Sequence, residues 1–291
     1  MTDIADLTGR CCLVTGATGV LGTAIAEKLR ARGADLVLTG RSAAALATLA
    51  ASLDAEPGGA LDTVTIDLAG QGAPAALIAA LGGRLDVLIN NAAVPGPIGP
   101  LAETDFAAWE ETIRLNLVMP AELCRAAIPL LAAAAAEGRH AKIINLSGGG
   151  ATSPRPNFSA YSVAKTGVVR FTEILAAELR ERSIDVNAVA PGALPSVMTR
   201  NILAAGAALC APNELAIAER AQGEAGLAAM AKATDLIAYL ASAESDGVTS
   251  RLIAAQWDPW QNFAALKDAL DKTDIFTLRR IVPKDRGLDW D

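Results

Sequence analysis

Tyr161 and Lys165 stand four residues apart in "YSVAK". On a helix this spacing sets a phenol and an ammonium one turn apart on the same face. A free phenol ionises near pH 10, too high for a base at neutrality, and a neighbouring positive charge favours its phenolate. The pair therefore suits proton exchange with an oxygen. An ordinary i,i+4 surface contact has the same spacing, so the surrounding motifs must decide. The same stretch opens with a short apolar strand and three glycines, "INLSGGG", from Ile144 to Gly150.

A second pattern lies near the start, in "LVTGATGVLGTAIAEKL". Gly16, Gly19 and Gly22 follow an apolar strand and open a helix, with Thr18 and Leu21 between them. Gly16 permits a tight turn, Gly19 lets a pyrophosphate approach the backbone, and Gly22 allows close helix–strand packing. The helix N-terminus then offers free N–H groups to negative charge. Glycines also punctuate ordinary turns, but the strand–loop–helix context favours a dinucleotide site.

The next strand ends in Thr39, Gly40, Arg41 and Ser42, where an NAD site would carry its ribose-reading acid. Arg41 in that place can pair with a 2′-phosphate, and Ser42 or Thr39 can add hydrogen bonds. NADP(H) is therefore expected over NAD(H), although Arg41 also fits a solvated first-turn residue. Asp67, beside Leu68, is placed to meet the adenine amino group.

These residues need a scaffold, and the chain has the material for one. It has 291 residues, 52% hydrophobic and 20% charged, enough for a deep core. Seven apolar runs, "CCLVT", "DLVLT", "DTVTI", "DVLIN", "KIINL", "DVNAVA" and "RLIAA", alternate with helical segments. The expected fold is α/β: one doubly wound, Rossmann-like parallel sheet, its strands buried on both faces between helices. Residues 1–255 are expected to form one dinucleotide-binding domain, with a helical, glycine-interrupted substrate loop over 194–229. Residues 256–291 read as an extension that covers the site, meets another subunit, or is a surface appendage. It holds three of the four tryptophans, Trp257, Trp260 and Trp290.

Net charge is −7, which gives nucleic acid or an anionic membrane no electrostatic footing. Cys11, Cys12, Cys124 and Cys210 form no disulfide or metal pattern, and His140 is the only histidine. No metal site is expected. The start, "MTDIADLTGRCCLVTG", does not read as a leader, and no run reaches the ~18 apolar residues of a span. A cytoplasmic protein is expected.

With "TGATGVLG", "NNAA" (Asn90 to Ala93), Asn116 in "RLNLV", "YSVAK" and "APG" (Ala190 to Gly192), the chain resembles a short-chain dehydrogenase/reductase from about Leu7 to Leu252. The resemblance implies hydride transfer between a nicotinamide and a carbonyl or secondary alcohol. Tyr161 would be the acid/base, and Lys165 its activator and ribose anchor. Asn116 would hold a water of the proton relay. Asn91, Ala92, Pro191 and Gly192 would join the cofactor site. A homodimer or homotetramer is implied, paired through long helices around Phe106–Ala135 and Ser159–Arg182.

The sequence departs from the family pattern in several places. The glycine spacing matches the family's extended branch, Ala93 replaces a glycine, and "AAQWDPW" replaces the usual ending. Family spacing also puts a substrate-binding serine thirteen residues before Tyr161, where Gly148 stands. Ser147 is one residue off and in a strand would face away, unless the glycines allow a bulge. Thr152 and Ser153 follow on the loop. Loss of one polarising donor costs about 10²–10³ in rate by analogy with oxyanion-hole deletions. Two alternatives therefore stand beside the oxidoreductase: an NADP-binding regulator or scaffold, and a lyase or epimerase that recycles its cofactor.

Overall fold

The structure, a computed structural model, describes residues 5–54 and 58–290. The first four residues, part of the start read above as carrying no leader, lie outside them. All seven expected strands form: β1 (Cys11–Val14), β2 (Asp35–Gly40), β3 (Leu61–Thr65), β4 (Val87–Asn90), β5 (Ala141–Leu146), β6 (Ile184–Ala190) and β7 (Arg251–Ala254). They make one parallel sheet in the order β3-β2-β1-β4-β5-β6-β7. The chain reverses its winding between β1 and β4, which is where a doubly wound sheet opens a crevice at its carboxyl edge.

The continuous apolar strands feed two cores. Cys12, Leu36, Leu38, Val87 and Ile89 face one side, packed with α1 (Val20–Arg30), α2 (Ala43–Asp54) and α9 (Glu224–Ala241). Cys11, Leu13, Val37 and Leu88 face the other, packed with α3 (Ala73–Ala79), α5 (Met119–Ala136) and α6 (Ser159–Leu179). Burial pushes the Cys11 thiol up to about 11 and Cys124 up to about 12. These cysteines pack as small hydrophobes. β3 departs from the expectation of two buried faces. It is an edge strand, and Asp62, Thr63 and Thr65 are exposed.

Two expected helices are broken in informative ways. The first runs as α4 (Phe106–Ile113), a π turn over Arg114–Val118, and then α5. The whole run is long and apolar enough to cross a membrane by composition. Here Met119, Leu123, Cys124, Ala127 and Leu131 bury its inner face against the sheet. The expected helical stretch after β6 is three helices: α7 (Val197–Ala205), α8 (Pro212–Ala221) and α9. Gly206 ends the first, and Pro212 starts the second.

The C-terminal extension is no loose appendage. The Leu252 N–H of β7 donates to the Phe276 carbonyl at 2.8 Å, so the tail pairs with the outer edge of the sheet. Arg251, 5% exposed, donates to the carbonyls of Thr273 and Ile275 at 3.0 and 2.8 Å. Trp260 and Phe263 of the tail, the latter beginning α10 (Phe263–Lys272), are buried in the first core. An edge covered this way is closed to strand addition.

Lys142 on β5 is 1% exposed, and its ammonium bonds Asp185 at 2.8 Å and Asp246 at 2.7 Å. His140 Nδ1 lies 3.0 Å from the same Asp185 carboxylate. These acids and His140 converge like metal ligands, but Lys142 already supplies the cation. Removing it strands the nearly buried Asp185. Lys142→Met is expected to lower the unfolding free energy by about 3 kcal/mol, read as a lower urea midpoint at an unchanged slope.

Candidate active site

The glycine loop is a backbone cradle. Gly16 has φ +63, and a Cβ there would come within 2.9 Å of the Ala92 Cα. A Cβ on Gly22 would come within 2.2 Å of the Gly16 carbonyl oxygen. Gly19 is looser: its nearest contact would be 3.3 Å. Thr15 welds this loop to the end of β4. Its hydroxyl donates to the Ile89 carbonyl at 3.2 Å and accepts the N–H groups of Asn91 and Ala92, both at 3.0 Å. Asn91 returns two bonds to the Thr15 and Gly16 carbonyls. Thr15 was not among the expected site residues, although it immediately precedes the first glycine.

The loop forms one end of a cleft of about 1410 Å³ at the carboxyl edge of the sheet. Gly16, Thr18, Gly19, Leu21, Gly22, Arg41, Asp67, Leu68, Asn91, Ala92, Pro191 and Gly192 all line it, together with Ser147, Tyr161 and Lys165. Thr39 lines it too. Its hydroxyl is buried and has no hydrogen-bond partner among the described residues. Ser42 does not belong to the cleft wall. Its hydroxyl accepts the Ala45 N–H at 3.2 Å, at the start of α2. Asn116 also lies behind the wall. Its side chain accepts the Val94 N–H at 2.9 Å and donates to the Val94 carbonyl at 2.8 Å. The π turn presents this side chain, which spends its amide on fixing the loop after β4.

A row of polar side chains sets α6. Asn90 of β4 donates to Asn145 of β5 at 2.8 Å, and Asn145 donates to Thr172 of α6 at 2.9 Å. About two turns upstream on α6, Lys165 reaches the end of β5 and donates to the Leu146 carbonyl at 2.7 Å. Its nitrogen lies 5.7 Å from the centre of the Tyr161 ring. Burial pulls Lys165 down to about 8 and pushes Tyr161 up to about 12. The charge that opposes the rise at Tyr161 is Arg155.

Gly148 explains where Tyr161 sits. A Cβ on Gly148 would lie 2.4 Å from the Tyr161 hydroxyl and 3.2 Å from its Cζ. The phenol occupies space that any larger residue would claim. Ser147 is 3% exposed, and its hydroxyl has no hydrogen-bond partner among the described residues, Tyr161 included. Thr152 and Ser153 are exposed on the cleft rim. Two further residues shape the cleft without a local motif to announce them. Gln256 donates to the Pro191 carbonyl at 2.8 Å and the Ala229 carbonyl at 3.0 Å, bracing the "APG" turn. Arg155 projects from the loop after the glycines.

The family model described as short chain dehydrogenase matches residues 10–206. The chain belongs to the short-chain dehydrogenase/reductase family. Dehydrogenase/reductase SDR family member 4 of Pongo abelii is 33% identical over 205 residues, 69% of this chain and 71% of that protein. A 2-dehydro-3-deoxy-L-rhamnonate dehydrogenase (NAD(+)) of Sphingomonas is 33% identical over 188 residues, 65% of this chain and 73% of that protein. The solved Pseudomonas aeruginosa RhlG/NADP active-site complex is 29% identical with a TM-score of 0.74, covering 87% of this chain and 97% of that one. The relatives are named dehydrogenases and reductases, and this member of their family is an oxidoreductase with a site for a nicotinamide dinucleotide.

The depressed Lys165 pKa makes stability pH-dependent. The folded state holds that proton less tightly than an unfolded lysine does, so the cost is full below pH 8 and fades as pH rises toward the ordinary value near 10.4. Relative to Lys165→Met, the wild type is expected to gain at most about 3 kcal/mol between pH 7 and pH 10. Urea unfolding of both proteins across that range measures the difference.

Proposed function

We propose that the protein is an NADP(H)-dependent reductase of a carbonyl compound, with Tyr161 as the proton donor. The carrying observation is the Tyr161 phenol, set in the cleft wall against Gly148 and raised to about 12 by burial. A phenol placed there can give its proton to a substrate oxygen. The bound dinucleotide supplies the hydride. Lys165, anchored to the end of β5, faces the same cleft and can meet the nicotinamide ribose. Asn116 acts by holding the Val94 backbone, which is part of the wall.

The residues present fit a dinucleotide. Gly16 and Gly22 leave a cradle that side chains would fill, and Thr39 carries an unsatisfied buried hydroxyl at the second strand. Arg41 is exposed on the cleft wall and no acid replaces it, which supports the phosphorylated cofactor. The NAD(+) in the name of the Sphingomonas relative shows that family membership alone does not choose between the two. Homo-oligomerisation belongs to the same proposal. Phe106, Val118, Val163 and Ile174, on or between the long helices, are exposed large hydrophobics.

Tyr161→Phe is expected to remove at least 10³-fold of kcat on any carbonyl the wild type reduces, with NADPH affinity within threefold. Intact turnover in that variant would end the assignment. Tight NADPH binding without turnover of a broad carbonyl panel would instead favour the regulator. Product formation without net cofactor turnover would favour the lyase or epimerase. Separately, Arg41→Ala is expected to raise the Kd for NADPH by about tenfold or more while leaving NADH nearly unchanged. Cofactor fluorescence titration reads both.

A further inference from the structure

The tail crosses the outer edge of the sheet in a conformation that its sequence does not favour. Phe276 has φ +62, a left-handed backbone that is an outlier for a bulky side chain. Its surroundings hold it there. The Phe276 carbonyl accepts the Leu252 N–H at 2.8 Å, and its ring tilts against Phe263 with centroids 5.5 Å apart. Arg251 grips the segment just before it, donating to the carbonyls of Leu270, Thr273 and Ile275. Phe276 and Thr277 thereby line the cleft, and the turn delivers Leu278 beside them.

Both backbone groups of Leu278 are taken by α6, the helix that carries Tyr161 and Lys165. Its N–H donates to Glu173 at 2.6 Å, and its carbonyl accepts from Arg170. Glu173 is buried, and Arg170 pairs with its second oxygen at 2.5 Å. Tyr161, Lys165, Val169 and Glu173 follow at steps of four, along one ridge of α6. The half-buried Leu278 side chain packs against the small cluster of Ala151, Val169 and Ala188. Val169 belongs to the Tyr161 ridge. Ala151 belongs to the glycine loop: its N–H donates to the Gly148 carbonyl at 3.3 Å, and its carbonyl accepts the Thr166 hydroxyl of α6 at 3.1 Å. Leu278 therefore packs on a cluster drawn from the two elements whose meeting sets Tyr161 against Gly148.

We propose that Leu278 is a positioning residue for Tyr161, a wedge that fixes α6 and the glycine loop at the separation that seats the phenol over Gly148. Arg251, Glu173 and Arg170 latch the tail so that the wedge stays in place. The seat of the phenol is a matter of packing alone, whereas the effect on turnover rests on Tyr161 being the proton donor. A displacement of about 1 Å caused by a residue far from the reacting atoms can cost on the order of 10²-fold in rate.

The test uses the full-length protein. Its two tyrosines are Tyr161 and Tyr239, so carbon-13 at tyrosine Cζ gives two NMR signals, assigned with Tyr161→Phe. Tyr239 lies in the other core against Trp260 and serves as the internal reference. Leu278→Ala is expected to move the Tyr161 signal and leave the Tyr239 signal in place. It is also expected to lower kcat by about tenfold or more on any carbonyl the wild type reduces, with the Kd for NADPH within about threefold. Leu278→Met conserves volume and is expected to restore both the signal and kcat. Arg170→Met, at an exposed side chain, frees the Leu278 carbonyl and is expected to move the Tyr161 signal in the same direction by less.

An unmoved Tyr161 signal in Leu278→Ala would overturn the proposal and leave Leu278 a tether of the tail. So would equal movement of both tyrosine signals, failure of Leu278→Met to restore the Tyr161 signal, or unchanged kcat beside a moved signal. If Leu278→Ala does not fold, Arg170→Met decides, and a Tyr161 signal identical to that of the wild type rejects the wedge. A moved signal in a protein that reduces no carbonyl would reject the reductase and retain Leu278 as the wedge.

Discussion

The cleft exists because three stretches of backbone meet with no side chain between them. At the reversal of strand order, Gly16 comes so close to Ala92 that a Cβ would touch its Cα, and Gly22 packs on the Gly16 carbonyl. Only glycine allows both contacts, and only at that spacing does the N-terminus of α1 face an open crevice. The Thr15 hydroxyl then joins the loop to the end of β4 through three hydrogen bonds, and Asn116 secures Val94 just beyond. The shape of this end of the cleft is therefore set by backbone hydrogen bonds and excluded volume.

The same rule, a missing Cβ that lets something else come close, operates again at Gly148. There the intruder is the Tyr161 phenol. Close packing strips water from the tyrosine and from Lys165 on the same helix, and it moves their proton affinities in opposite directions. At Tyr161 the rise from burial is opposed by Arg155, whose guanidinium is paired with the Glu214 carboxylate. Gly148 thus leaves the space that the Tyr161 phenol fills.

The sheet was legible because every strand is a run of apolar residues bounded by turn chemistry, and a parallel sheet needs such runs. β3 was the exception. An edge strand with exposed threonines has the composition of a buried one, and only the strand order distinguishes them. The turn of the glycine loop and the one-turn spacing of Tyr161 and Lys165 were legible because each is local, whereas the contacts of Gly16 with Ala92 and of Tyr161 with Gly148 are not. Ser42 looked equally local, but a serine after a strand also suits the start of the next helix, and its hydroxyl accepts the Ala45 N–H there. Arg155, Glu214 and Gln256 could not be read this way. Glu214 lies 59 residues from the arginine it pairs with, and no periodicity connects them.

That division follows the extent of the family match. The match ends at residue 206, whereas the cleft wall continues through α8 and α9 to Gln256, Trp257 and, in the tail, Phe276 and Thr277. The glycine loop, Tyr161 and Lys165 lie in the matched part, and the far wall of the cleft draws heavily on the unmatched part. The tail cannot be discarded as decoration, because it pairs with β7, buries Trp260 and Phe263 in the core, and reaches the cleft through the same segment. Pinning the tail to the sheet edge sets Phe276 and Thr277 against the cleft with a backbone hydrogen bond that a free loop would lack.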